Sequence, residues 1–226
     1  MKKTSFSKVI GIVGGAGPMA SACLYSTIIE LCQKQYDSHD YNEFPEIILE
    51  SYPFVRGDGK KIQEDILLCF EKLKSAGAEL FCIASNSFHA YLPDVSSLTF
   101  VNLVSESLQE ATTISKALVL GSQVTIDLKL YEQSDLLCCY PPEKEQKLIQ
   151  KIIREVAGGV IERKQSSALR EIIQRLQGQL LFDGVIIACT ELPLIHRKFS
   201  LSDKEELLII DTVEVLAKRL LDLASN

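Results

Sequence analysis

The chain has 226 residues, 46% of them hydrophobic and 24% charged, a balance that suits a folded globular protein and excludes a disordered one. Its net charge is −6 and no long basic stripe is present, so nucleic acid is not an expected partner. Seven cysteines, an odd number with no C-x-x-C pair, argue against a disulfide framework and place the protein in a reducing cytoplasm.

Residues 9–29 carry no charge and follow Lys2, Lys3 and Lys8. Their length alone would allow a membrane span, but Gly14-Gly15-Ala16-Gly17-Pro18 falls in the middle. The reading is therefore strand (9–13), glycine loop (14–17) and helix (19–34), with neither membrane segment nor signal peptide. Pro18 suits the first turn of that helix, where its missing N–H costs nothing. A second strand is expected at 46–52 and an amphipathic helix at 61–75, stopped by Gly77. A buried strand at 80–84 then runs into Ser85-Asn86-Ser87.

The second half starts over. A strand at 117–120 ends on Gly121-Ser122, helices are expected at 143–157 and 166–177, and a buried strand at 185–188 runs into Cys189-Thr190-Glu191. A strand at 207–210 and a helix at 212–224 close the chain. Residues 154–170, the densest basic stretch, also hold Glu155 and Glu162 and read as the solvated face of a helix.

The glycines Gly14 and Gly121 and the tetrads Ile83-Ala84-Ser85-Asn86 and Ile187-Ala188-Cys189-Thr190 recur at nearly the same offset, close to half the chain. This is an internal pseudo-repeat. It predicts an α/β fold of two pseudo-symmetric lobes, each a mostly parallel sheet flanked by helices. Expected boundaries are 1–103 with 211–226 for one lobe and 104–210 for the other. Ligands of such sheets sit beyond the carboxyl ends of the strands, so an interlobe cleft with Ser85 and Cys189 on opposite walls is expected.

Cys189 stands at a strand end, where backbone N–H groups and a helix N-terminus would favour a thiolate. Cys23, Cys32, Cys69 and Cys82 read as buried structural cysteines. Cys138 and Cys139 read as loop residues without a role. Ser85 reads as the N-cap of a helix and, together with Asn86 and Ser87, as hydrogen-bond donors to a carboxylate, two readings that are compatible because a helix N-terminus is itself an anion site. His89, one turn on, reads as a packing residue. His39, His89 and His196 are scattered, and no Cys/His cluster predicts a metal.

Four motifs carry a family resemblance. Gly14-Gly15-Ala16-Gly17-Pro18 resembles G-G-M-G-P, Ser85-Asn86-Ser87-Phe88-His89 is similar to C-N-T-A-H, and Ala188-Cys189-Thr190-Glu191 is similar to G-C-T-E. Asp211-Thr212 is like the Asp-Thr ahead of a terminal helix. In this order and spacing, from about residue 9 to 224, they resemble the aspartate/glutamate racemases of the Asp/Glu/hydantoin racemase superfamily. The resemblance implies a homodimer that uses no pyridoxal phosphate and acts on a small acidic amino acid, aspartate or glutamate; no cofactor is expected. It implies α-proton transfer between two opposed thiols. Here Cys189 is one, and Ser85 takes the place of the other. Gly15, Asn86, Ser87, Ser122, Thr125 and Thr190 are the expected substrate-binding residues, and Glu191 is expected to orient the Cys189 loop. The family arginine of P-D-R-T falls near Val55-Arg56-Gly57-Asp58, which leaves Arg56 for the role. A family lysine in V-K-x-G falls on Ala157.

Three alternatives stay open. A single-cysteine decarboxylase or isomerase of the same superfamily needs only Cys189 as proton donor. A dinucleotide module would use Gly15-x-Gly17-x-x-Ala20 and, as its acidic residue, Glu50. A non-catalytic relative would bind an amino acid without exchanging its α-proton.

Overall fold

The computed structural model describes residues 6–55, 57–201 and 207–225. In chain order the elements are β1 (Ile10–Gly14), α1 (Pro18–Gln35), β2 (Ile47–Ser51), α2 (Gly59–Ser75), β3 (Leu80–Ile83), β4 (Thr99–Phe100), α3 (Leu103–Glu110), β5 (Lys116–Gly121), α4 (Gln123–Asp127), β6 (Leu137–Cys139), α5 (Glu143–Ala157), α6 (Arg163–Leu180), β7 (Gly184–Ala188), α7 (Leu192–Phe199), β8 (Leu208–Asp211) and α8 (Thr212–Ala224). They form two compact units, Met1–Glu106 with Val213–Asn226, and Ser107–Thr212.

Each unit is built on a four-stranded sheet, ordered β2-β1-β3-β4 in the first and β6-β5-β7-β8 in the second, with every pairing parallel. The two orders are the same path traced twice, which is the structural content of the sequence repeat. The central strands β1, β3 and β7 are buried at every position, as apolar runs covered on both faces must be. The edge strands β2 and β8 keep partial exposure.

Local chemistry sets the helices. Asp58 starts α2 by accepting the Lys60 N–H at 2.9 Å, and Lys72 and Lys74 face its negative end. Its stripe of Ile62, Ile66, Cys69, Phe70 and Leu73 is buried against Val13, Phe81 and Ile83 of the first sheet. In the second unit Ile149, Ile152, Ile153 and Val156 of α5 join Leu169, Ile172, Ile173 and Leu176 of α6 in one core with Leu118, Val185 and Ile187. The terminal helix α8 returns to the first unit, where Ala224 accepts the Ser7 N–H and Leu223 accepts the Lys8 ammonium.

Several expectations need correction. Residues 154–170 are not one helix face: α5 ends at Ala157, Gly158 and Gly159 turn the chain, and α6 begins at Arg163. The expected helix at 166–177 therefore starts three residues earlier, at a capping box between Glu162 and Gln165. Cys138 and Cys139 are not loop residues. Both lie in β6, where Cys138 Sγ donates to the Tyr131 carbonyl and Cys139 Sγ to that of Ala117. A three-residue edge strand is too short to show alternation. Among the described residues no helix is long and apolar enough to cross a membrane.

Candidate active site

The segment that follows β7 brings the side chains of Cys189, Thr190 and Glu191 together in the second unit. Cys189 leaves the strand as its first unpaired residue and is only 5% exposed. Its thiol donates to Glu191 Oε2 at 2.9 Å, and Thr190 Oγ1 reaches the same oxygen at 3.4 Å. Glu191 is itself buried, at 9% exposure, on the doorstep of α7. The backbone N–H groups of Glu191 and Leu192 do lie on the sulfur, as expected from the sequence. They are outweighed. Burial first, then the Glu191 carboxylate, push the Cys189 thiol well above its ordinary pKa. The expected thiolate is therefore corrected: the resting group is a thiol hydrogen-bonded to a carboxylate.

The helix behind this segment is clamped. Arg197 of α7 meets Asp211, at the end of β8, through Nε at 2.9 Å and through a second nitrogen at 2.8 Å. Thr212 Oγ1 donates to the Ile187 carbonyl at 2.9 Å, tying the ends of β8 and β7 together. Arg170 and Ser166 of α6 hold the carbonyls at the C-terminus of α7. Ser122 N-caps α4, accepting the Thr125 N–H at 3.3 Å, and their hydroxyls stand 3.1 Å apart. Beside them Gln146 Nε2 donates to the Gly121 carbonyl at 3.1 Å. Tyr131 was not foreseen. It is fully buried, and the charge of an ionised Cys189 would be felt at its phenol, which burial keeps neutral. Nothing in its sequence neighbourhood distinguishes it from a packing tyrosine.

In the first unit, Ser85 and Asn86 follow β3 and are buried, with Ser87 partly exposed beside them. Ser85 Oγ and Ser87 Oγ are 3.4 Å apart. No α-helix begins here. A short 3-10 turn spans Ser87–Tyr91, its cap position is Asn86, and no side chain caps it. The expectation that Ser85 caps a helix or faces an anion-binding helix N-terminus is corrected. The reason is His89, whose Nδ1 reaches the Ser85 carbonyl at 2.8 Å and whose Nε2 accepts the Leu103 N–H at 3.2 Å. This fixes a neutral imidazole, and burial pulls its pKa down to about 4. His89 thus links the Ser85 carbonyl to the Leu103 N–H from within a 3-10 turn.

That geometry sets a pH dependence. His89 binds a proton more weakly folded than unfolded, so its contribution is full above the unfolded pKa of about 6.5 and is lost as pH falls toward 4. Stability should drop by roughly 2–3 kcal/mol across that window through this residue. Chemical denaturation of the protein and of His89→Gln at several pH values measures it; the variant should show a shallower slope.

Gly15 sits between β1 and α1 at φ +95°, and a Cβ there would come within 2.1 Å of the Tyr52 carbonyl oxygen. Its N–H donates to Ser21 Oγ at 3.0 Å. Gly15→Ala should cost at least about 2 kcal/mol, because the left-handed backbone and a clash with main chain add. A denaturant midpoint unchanged from the parent would show that the loop can yield. Lys61, at the start of α2, reaches Asp65 at 2.7 Å, and Tyr52 donates to the same oxygen at 3.0 Å. Lys72 holds Glu50 at 2.7 Å, which occupies the acidic group that a dinucleotide site would need. Tyr52, Phe54, Phe88 and Tyr91 pack edge to face in a chain beside Ser87. Arg56, the expected carboxylate anchor, lies outside the described residues. Among the described residues no cluster of three or more His, Cys, Asp or Glu side chains could hold a metal ion.

A family profile described as Asp/Glu/Hydantoin racemase matches residues 13–220. The chain belongs to the Asp/Glu/hydantoin racemase family. Among curated proteins, it is 26% identical over 134 residues to the broad specificity amino-acid racemase RacX of Bacillus subtilis strain 168. That alignment takes in 55% of this chain and 59% of RacX, so the chain spans little more than half of this relative. Among solved structures, an aspartate racemase homologue from Pyrococcus horikoshii OT3 superposes with TM-score 0.81 at 26% identity, covering 97% of this chain and all of that one. The aspartate racemase of Picrophilus torridus shares the fold, with TM-score 0.70 at 20% identity over 96% of this chain and 94% of its own.

Proposed function

We propose that this protein is an amino-acid racemase that uses neither pyridoxal phosphate nor a metal, with Cys189 as its main acid/base and aspartate or glutamate as substrate. The observation that carries the reading is the Cys189 thiol, buried at the end of a central parallel strand and hydrogen-bonded to a carboxylate, in a chain of the racemase family. Racemisation breaks a C–H bond of very low acidity, so it needs a proton carrier held at the carbon and dipoles that stabilise the carbanion. Cys189 would serve one face of Cα. Ser85 would serve the other as a weak partner, because a hydroxyl is far less acidic than a thiol of free pKa about 8.5. Asn86, Ser87, Ser122, Thr125, Thr190 and the Gly15 loop would bind the substrate carboxylates, with Arg56 as the cationic anchor. A homodimer in the cytoplasm and lobes divided near residues 103 and 211 belong to the same proposal.

Proton NMR in D₂O with L- and D-aspartate and L- and D-glutamate tests it, read together with chiral chromatography. Loss of the α-proton signal with appearance of the other enantiomer is the expected result. No exchange with any of the four would remove acidic amino-acid racemisation.

One observation favours a second reading. A resting thiol is already a proton donor, and decarboxylation of a malonate-type acid needs nothing more from Cys189. There the C–C bond breaks, carbon dioxide leaves, and the carbanion takes the S–H proton. Carbon dioxide release from such acids, without α-proton exchange of amino acids, would select it.

A further inference from the structure

Tyr52 is the first residue past β2, and its main chain lies against the glycine loop that follows β1. Its N–H donates to the Gly14 carbonyl at 3.1 Å, and its carbonyl oxygen stands 2.1 Å from the place a Gly15 Cβ would take. The loop therefore sits where Tyr52 puts it. The Ser21 hydroxyl, which accepts the Gly15 N–H at 3.0 Å, is a second hold. The Tyr52 ring is in turn fixed from outside. Phe54 meets it edge to face at 4.9 Å, and the Lys72 ammonium lies 5.4 Å from its centroid. Both contacts tolerate sliding. The directional bond comes from Asp65 on α2, whose Oδ1 accepts the phenol at 3.0 Å. Asp65 is only 3% exposed, and a buried carboxylate costs free energy unless it is paired. Lys61 meets the same oxygen at 2.7 Å and, against the effect of burial, holds the carboxyl below its ordinary pKa, so the acceptor stays charged. Apolar packing alone would be served at this point by a leucine.

We propose that Asp65 is a positioning residue of the reaction: through the Tyr52 phenol it fixes the Gly15 loop, and with it the affinity for the substrate carboxylate. The inference rests on the racemase reading, in which that loop would bind the carboxylate. No proton of the chemical step passes through Asp65, so its effect falls on binding. A loop that drifts by a fraction of an ångström loses hydrogen-bond geometry to substrate and transition state alike, which raises KM and leaves kcat in place.

Tyr52→Phe removes the phenol oxygen and leaves the Asp65–Lys61 pair intact. In the full chain, KM for α-proton exchange of aspartate or glutamate should rise by about 5- to 10-fold, with kcat within about threefold of the parent. Asp65→Leu should do the same. The two changes made together should raise KM no more than the larger single change, because the carboxylate acts through the phenol. Asp65→Asn, whose amide oxygen can still accept the phenol, should lose less, and with Tyr52→Phe it carries the test if Asp65→Leu does not fold. A merely structural role would lower the melting temperature and the active fraction, hence the apparent kcat, and leave KM where it is. An unchanged KM in folded Tyr52→Phe overturns the proposal, and so do single effects that multiply in the double variant. If the parent protein exchanges no amino-acid α-proton, the racemase reading fails, and the dissociation constant of L-aspartate takes the place of KM. The same pattern in that constant supports the role of Asp65, and an unchanged constant overturns it. A parent that neither exchanges nor binds L-aspartate or L-glutamate overturns both.

Discussion

Cys189→Ser should lower α-proton exchange by roughly 10³- to 10⁴-fold while leaving the fold intact. The fold is expected to survive because the serine hydroxyl can still donate to Glu191 Oε2, in the place where the thiol now does at 2.9 Å. No buried acceptor is orphaned, and the volume change is small in a segment that is 5% exposed. The chemistry does not survive, because a serine hydroxyl holds its proton far more tightly than a thiol of free pKa about 8.5. Exchange followed by NMR and melting followed by circular dichroism separate the two effects. Equal exchange in the variant would show that another group moves the proton. The remaining cysteines are poor substitutes: burial pushes Cys32 up to about 11 and Cys69 up to about 12, and Cys82 stands inside β3 with its pKa also pushed up.

The elements that position this site were legible in proportion to their apolar content. β1, β3, β5 and β7 announce themselves as short unbroken apolar runs, because each is a central strand covered on both faces. α1, α2, α5 and α8 carry helical periodicity over three or more turns. β4 and β6, two and three residues long, carry no pattern to read, and α4 exists mainly because Ser122 caps it. The protonation of Cys189 was not legible. The strand-end position of Cys189 pointed correctly to backbone N–H groups, but burial and the rotamer that brings Glu191 onto the sulfur are tertiary facts. Likewise Ser85 looked like a cap by type and position. The His89 bond to its carbonyl, reaching on to Leu103, turns the chain into a 3-10 turn instead.

The contrast between the two strand ends leads to the second large effect. Ser85→Cys should raise the ratio of inversion to simple exchange by about 10-fold or more, with aspartate or glutamate as substrate. As it stands, the segment after β7 offers a thiol and a carboxylate, whereas the segment after β3 offers hydroxyls, an amide and a histidine locked neutral by its two backbone bonds. On the proposed mechanism, a proton delivered by Ser85 would come from a hydroxyl or a water, so exchange with retention at Cys189 should outrun inversion. A thiol at position 85 supplies a donor that can also act as base. Replacing oxygen by sulfur in a residue only 4% exposed overpacks slightly, and the adjacent Ser87 hydroxyl at 3.4 Å leaves some room for it. Deuterium incorporation and enantiomer composition, measured on the same samples, give the ratio directly. A rise would identify position 85 as the limiting proton carrier. An unchanged ratio with undiminished exchange would mean that the second proton reaches the substrate by a route that does not pass through this side chain.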